Sequence, residues 1–116
     1  MNVVIIDNDM EQLDMMTAAL HYACPGGSVC SFRDPMLAVK HVYNNETDLV
    51  FAEVKTTPVS GFDVLNTLRR IKPGIKIILM SEDMTFQGRA SQLQASGFFQ
   101  KPISADAIKE ALSEMC

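Results

Sequence analysis

Cysteine is scarce in this chain, and where it stands matters more than how often. Three occur in 116 residues, Cys24, Cys30 and Cys116. An odd number without a CxxC pair excludes a disulfide framework and a zinc knuckle, and fits reduced thiols in the cytoplasm. Positive charge is also in short supply. The net charge of −4 excludes a chain that grips nucleic acid by its own field. Long apolar runs are missing too. A run such as Ile77–Met80 is far too short to span a membrane. The opening MNVVIIDND meets acid after four apolar residues, with no basic n-region and no cleavage site, so it reads as a strand and not as a signal peptide. His21 and His41 have no acidic or cysteine partner at ligand spacing. There is no low-complexity stretch, linker or internal repeat, and the whole chain, 1–116, reads as one domain.

What is present is an alternation. Short apolar runs at Val3–Ile6, Val29–Phe32, Leu49–Ala52, Ile75–Met80 and Phe98–Phe99 are separated by stretches of helical period. Asp9 with Gln12 reads as a capping box for the first helix, striped by Leu13, Met16, Leu20 and Ala23. Asp34-Pro35 opens the second helix. Phe62, Leu65, Leu68 and Ile71 stripe the third. A weaker fourth, with Gly88 inside it, spans Thr85–Ala95. Ser104 caps the fifth, striped by Ile108, Leu112 and Met115. Five βα units with short connections imply a parallel sheet covered on both faces by right-handed crossovers.

Ligand chemistry in such a sheet lies at the carboxyl ends of the strands. Asp7, Asn8 and Asp9 follow the first strand, Glu53 the third, Ser81 the fourth and Lys101 the fifth. Acids, an amide, a hydroxyl and an ammonium are thus delivered to one edge. Glu53 is the odd member: a carboxylate at the inner end of an apolar strand needs a partner or a function.

These residues, together with IID at Ile5–Asp7, Gly61 eight residues after Glu53, LMS at Leu79–Ser81 and ASGFFQKPI at Ala95–Ile103, resemble the receiver domain of two-component response regulators over essentially the whole chain. The resemblance implies a single doubly wound (βα)5 flavodoxin-like fold, with a five-stranded parallel sheet in the order 2-1-3-4-5 and a cis peptide bond before Pro102. It implies roles as well. Asp7 and Asn8 fall on the acid pair that holds Mg²⁺, so one carboxylate has become an amide. Glu53 falls on the phosphoacceptor aspartate. Ser81 and Phe98 fall on the hydroxyl and aromatic of the switch, and Lys101 falls on the phosphate-binding lysine. Thr57 stands where the family often has proline, with Pro58 one place later. Glu82 stands where a small residue usually leaves the acceptor open.

The departures point one way. Glu53 is one methylene too long for in-line attack, and misplacement on that scale can cost ~100-fold. Asn8 removes an attraction of ~4 kcal/mol for a cation ~4 Å away at an effective dielectric of ~20. Asp7, Asp9 and Glu53 are then expected to hold Mg²⁺ weakly or not at all, and no other cofactor is implied. The expected function is a non-enzymatic, atypical receiver: a signalling and interaction module, with the helix 4–strand 5–helix 5 face (Phe86, Arg89, Gln92, Lys109, Glu110) meeting a transcriptional output domain, a partner protein or a second copy. Glu53 either imitates phosphoaspartate or forms a structural ion pair with Lys101. The alternative from the enzyme class is a haloacid-dehalogenase-like phosphohydrolase, with Asp7 as nucleophile and Asp9 as general acid in IIDNDM. Against it stand Met10 after the second Asp and Lys101-Pro102 in place of a late acidic pair. A flavodoxin-like cofactor binder is excluded by the acidic loop, which would repel phosphate.

Overall fold

A computed structural model describes residues 1–113. Strands β1 (Asn2–Ile6), β2 (Ser28–Phe32), β3 (Leu49–Glu53), β4 (Lys76–Ser81) and β5 (Gly97–Gln100) alternate with helices α1 (Met10–Ala23), α2 (Pro35–Asn44), α3 (Gly61–Ile71), α4 (Gln87–Gln92) and α5 (Ala105–Ser113). All four strand pairings are parallel, in the order β2-β1-β3-β4-β5. This is the doubly wound flavodoxin-like arrangement. Residues 114–116, which include Met115 of the expected α5 stripe and Cys116, lie outside the described residues.

Strand period divides the core between the two faces. Val4, Ile6, Val50, Ala52, Ile77 and Leu79 pack with Ala38 and Val42 of α2 and with Phe62, Leu65 and Leu68 of α3. Val3, Ile5, Leu49, Phe51, Ile78 and Met80 pack on the opposite face with Leu13, Met16 and Leu20 of α1 and Ile108 and Leu112 of α5. β3 is buried along its whole length, as a central parallel strand must be.

The caps follow the sequence with one exchange. Asp34 accepts from Met36 N–H and Ser104 from Ala107 N–H. Asp9 caps α1 through Glu11 N–H and Gln12 N–H. The expected capping box at Asp9 and Gln12 does not form, because the Asp9 N–H donates to Asp7 Oδ1 at 3.0 Å instead. A reciprocal box closes α3, where Ser60 and Asp63 each receive the other's backbone N–H.

The fourth helix departs most from expectation. A 3₁₀ turn at Met84–Phe86 precedes it, and the helix stops at Gln92. Gln94 adopts the left-handed conformation at φ 59°. Arg69 of α3 donates to the carbonyls of Leu93 and Gln94 just past the helix end. The helix is short because Gly88 and small polar residues give it little apolar stripe to bury.

Candidate functional site

Each site residue sits where a strand ends. The Asp7 N–H donates to Phe32 O, Val54 N–H to Met80 O and Lys101 N–H to Ser81 O, so the ladder continues one residue past each strand and fixes the backbone beneath the site. Register places Ile6 beside Ala52, Glu53 beside Met80 and Ser81 beside Gln100. Lys101-Pro102 is cis, as the resemblance implied, and Thr57-Pro58 is cis as well.

Side-chain parity then decides which groups meet. Asp7 continues the Val3–Ile5 face, Glu53 the Leu49–Phe51 face and Lys101 that of Phe99, all on the α1/α5 side. Ser81 continues Ile77 and Leu79 toward α3, and Phe98 packs on that same cluster. Asp7, Glu53, Ser81 and Lys101 are all buried. The Lys101 ammonium bonds directly to Asp7 Oδ2 and lies 3.7 Å from Glu53 Oε1. Glu53 folds back, its Oε2 accepting from Val54 N–H at 2.9 Å. Ser81 Oγ accepts from Asp83 N–H at 3.2 Å. Among the described residues no hydrogen bond joins Glu53 to Ser81. The expected Glu53–Lys101 pair is therefore present, but it is the second contact of a triad in which Asp7 is the first partner of Lys101.

Burial pushes the Glu53 carboxyl above its ordinary range; Lys101 and the Val54 N–H pull it back only in part, while Asp7 and Glu82 add to the rise. An acid whose folded pKa is raised costs stability when ionised, and that cost sets in as pH rises above its ordinary value of 4.5. Glu53→Gln removes the cost, leaves Lys101 on Asp7, and keeps an oxygen for Val54. Glu53→Gln is expected to match wild type at pH 7 or exceed it by about 1 kcal/mol, with the gap closing toward pH 4–5. Urea unfolding across pH checks this, and a clear loss at pH 7 contradicts it.

Asn8 lies outside the acid triad. Its Oδ1 accepts from the Thr57 N–H at 2.8 Å and the Thr57 hydroxyl at 3.3 Å. Its Nδ2 donates to the carbonyls of Arg33 at 2.7 Å and Thr57 at 3.2 Å. Thr57 and Arg33 were not marked by the sequence as site residues. Their contacts with Asn8 span 49 and 25 positions, so no local pattern announces them.

These commitments bear on the metal. Mg²⁺ requires oxygen ligands free to converge. Asp7 carries the Lys101 ammonium, and Asp9 faces the N-terminus of α1 as its cap. Among the described residues no three His, Cys, Asp or Glu side chains are grouped to hold a metal ion. The set Asp7, Asp9 and Glu53 does not fit Mg²⁺ in this arrangement, because Asp7 Oδ2 is taken by Lys101, Asp9 Oδ1 by the α1 cap, and the three are not gathered at one point.

The remaining rim also differs from expectation. Lys55 pairs with Asp83 at 3.8 Å and lies 5.7 Å above the Phe86 ring. Phe86 meets Phe62 edge-on at 5.7 Å, and Arg89 covers Phe62 at 4.5 Å. Phe86 and Arg89, expected on the α4–β5–α5 face, turn instead onto α3, because Phe62 offers the nearest aromatic surface. Gln92, Lys109 and Glu110 are exposed.

Comparison with known proteins agrees with this geometry. The sequence pattern of the response regulator receiver domain matches residues 3–113. The chain belongs to the response regulator receiver family. This receiver is 27% identical over 108 residues to the probable transcriptional regulatory protein TcrX of Mycobacterium tuberculosis, covering 91% of this chain and 45% of that protein. It is 27% identical over 107 residues to a protein-glutamate methylesterase/protein-glutamine glutaminase of Paramagnetospirillum magneticum, covering 88% and 28%. The chain thus spans less than half the length of these curated relatives. Among solved structures, the signal receiver domain of a DNA-binding response regulator from Colwellia psychrerythraea superposes with TM-score 0.90 at 20% identity, covering 98% of this chain and 96% of that one. TrrA of Thermotoga maritima, solved with Mg²⁺-BeF, superposes with TM-score 0.89 at 20% identity, covering 99% and 98%. At that identity the superpositions establish the fold alone. No helix of the described residues is long and apolar enough to cross a membrane.

Proposed function

We propose that this receiver is an interaction module that controls an output domain, of the transcriptional kind, without conventional aspartyl phosphorylation. One observation carries the reading: the group at the acceptor position, Glu53, is folded onto its own strand end at Val54 N–H, while Lys101 is bound to Asp7. Phosphoryl transfer is catalysed by positioning and electrostatic stabilisation, and it needs an exposed nucleophile beside a bound cation. Here the carboxylate is buried and one methylene longer than aspartate, and the cation beside it is an ammonium. The likeness to TcrX supports a transcriptional output. Between the two roles open to Glu53, the geometry supports the ion-pair lock over imitation of phosphoaspartate, because imitation needs contact with the Ser81 hydroxyl. Gln92, Lys109 and Glu110 remain available for contact with a partner, an output domain or a second copy.

Incubation with acetyl phosphate and Mg²⁺, followed by intact-mass and peptide mass spectrometry, tests the proposal. No added phosphate is expected, and a phosphate mapped to Glu53 overturns it.

A further inference from the structure

We infer that Asn8 is an amide clamp that fixes the receiver pocket without a divalent ion; this deepens the reading of the same site given above and rests on it. The orientation of the amide is fixed by its neighbours. The Thr57 N–H can only donate, so the atom 2.8 Å from it must be the oxygen. The carbonyls of Arg33 and Thr57 can only accept, so the atom 2.7 and 3.2 Å from them must be the nitrogen. The Arg33 guanidinium returns a contact, Nε donating to Asn8 O at 3.2 Å. One side chain therefore ties the loop after β1 to the loops after β2 and β3. A primary amide supplies a donor at one end and an acceptor at the other. A carboxylate would set an oxygen against two carbonyl oxygens, and a hydroxyl or methyl group could not span both loops.

The clamp complements what Lys101 does within the pocket. Lys101 neutralises Asp7 directly and stands 3.7 Å from Glu53. Its ammonium takes the position in the charge balance that a divalent cation would otherwise fill. The loop after β3 carries Val54, whose N–H holds Glu53, and Thr57, whose backbone is held by Asn8 at both its N–H and its carbonyl. To admit an ion, Asp7 would have to share or give up Lys101, and Asp9, whose Oδ1 caps α1, would have to be drawn to it. The arrangement of this loop is thus uncoupled from Mg²⁺, and the second acid has been replaced by a group with a different task.

Thermal melts and amide exchange of the whole chain test the clamp, using wild type, Asn8→Asp and Asn8→Ala with and without about 10 mM MgCl₂. The wild-type Tm is expected to move by less than about 1 °C on adding the ion. Both variants are expected to melt about 4–8 °C lower, with Asn8→Asp no more stable than Asn8→Ala. Exchange of the Thr57 amide should rise about tenfold or more in Asn8→Ala, since its acceptor is gone, and less in Asn8→Asp, which keeps an acceptor oxygen but loses the donor to the two carbonyls. Asn8→Asp melting with or above wild type in the absence of Mg²⁺ overturns the clamp. So does a wild-type Tm raised several degrees by the ion. The two readings fail separately. A wild-type chain labelled by acetyl phosphate but indifferent to Mg²⁺ in its melting sinks the first and leaves the clamp. An unlabelled chain whose Asn8→Asp variant is fully stable does the reverse.

Discussion

Lys101→Met is expected to cost the domain about 3–5 kcal/mol at pH 7. The ammonium is buried and is the shared cation of two buried carboxylates, bonded to Asp7 and 3.7 Å from Glu53. Methionine fills much of the volume of the lysine stem, so the loss reports the charge and not a cavity. Without the ammonium, Asp7 and Glu53 face each other in a site from which water is largely excluded, and the Glu53 carboxyl, already raised by burial, loses the Lys101 charge that pulled it down. Raised acids cost stability above their ordinary titration range. The deficit is therefore largest at neutral pH and shrinks as pH falls toward about 5, where the native state takes up protons that the unfolded chain does not. Adding Asp7→Asn and Glu53→Gln to Lys101→Met removes the stranded charges and is expected to recover most of the loss, because neutral replacement of a complete buried network is often close to neutral. Urea unfolding of the single and triple variants at pH 7 and 5 measures this. A loss below about 1 kcal/mol, or one independent of pH, shows that the acids do not depend on Lys101.

Gly61→Ala is expected to destabilise the domain by about 3 kcal/mol or more. A Cβ at this position would lie 2.5 Å from the Glu53 carbonyl oxygen, 2.9 Å from Val54 Cα and 3.0 Å from the Glu53 carbonyl carbon. All three are backbone atoms at the end of a central strand, so none can swing aside as a flexible side chain would. The Gly61 N–H also donates to Val54 O at 2.9 Å, which draws the start of α3 tightly against the end of β3. Relief of the clash would displace the two residues that set Glu53, and with them the Val54 N–H bonds to Met80 O and Glu53 Oε2. Gly88→Ala is the control. Nothing lies within 4 Å of a Cβ there, and the position is inside α4. It is expected to gain about 0.5–1 kcal/mol, chiefly by restricting the unfolded chain. Equal effects of the two substitutions in urea unfolding would contradict the packing argument.

Much of this molecule is written locally. Short apolar runs and period-3.6 stripes announce five strands and five helices. Asp34-Pro35 and Ser104 mark helix starts with caps that form as expected. The placement of Asp7, Glu53, Ser81 and Lys101 at one edge follows from each standing at the end of an apolar run, since parallel strands deliver their carboxyl ends to the same side. What only the tertiary structure decided is the pairing among these groups. The Asp9 N–H, expected to serve Gln12, donates instead to the Asp7 carboxylate across the turn after β1. Lys101 could have served Glu53 first, but the order of contacts in the triad gave it to Asp7. Phe86 and Arg89 turned onto α3 because Phe62 lay there, which no pattern within α4 encodes. Asn8 could be read only as a missing acid until Thr57 and Arg33 were brought to it from distant loops. A hydrogen bond between loops depends on how the whole sheet sets the separation of their ends, and sequence spacing carries no measure of that distance.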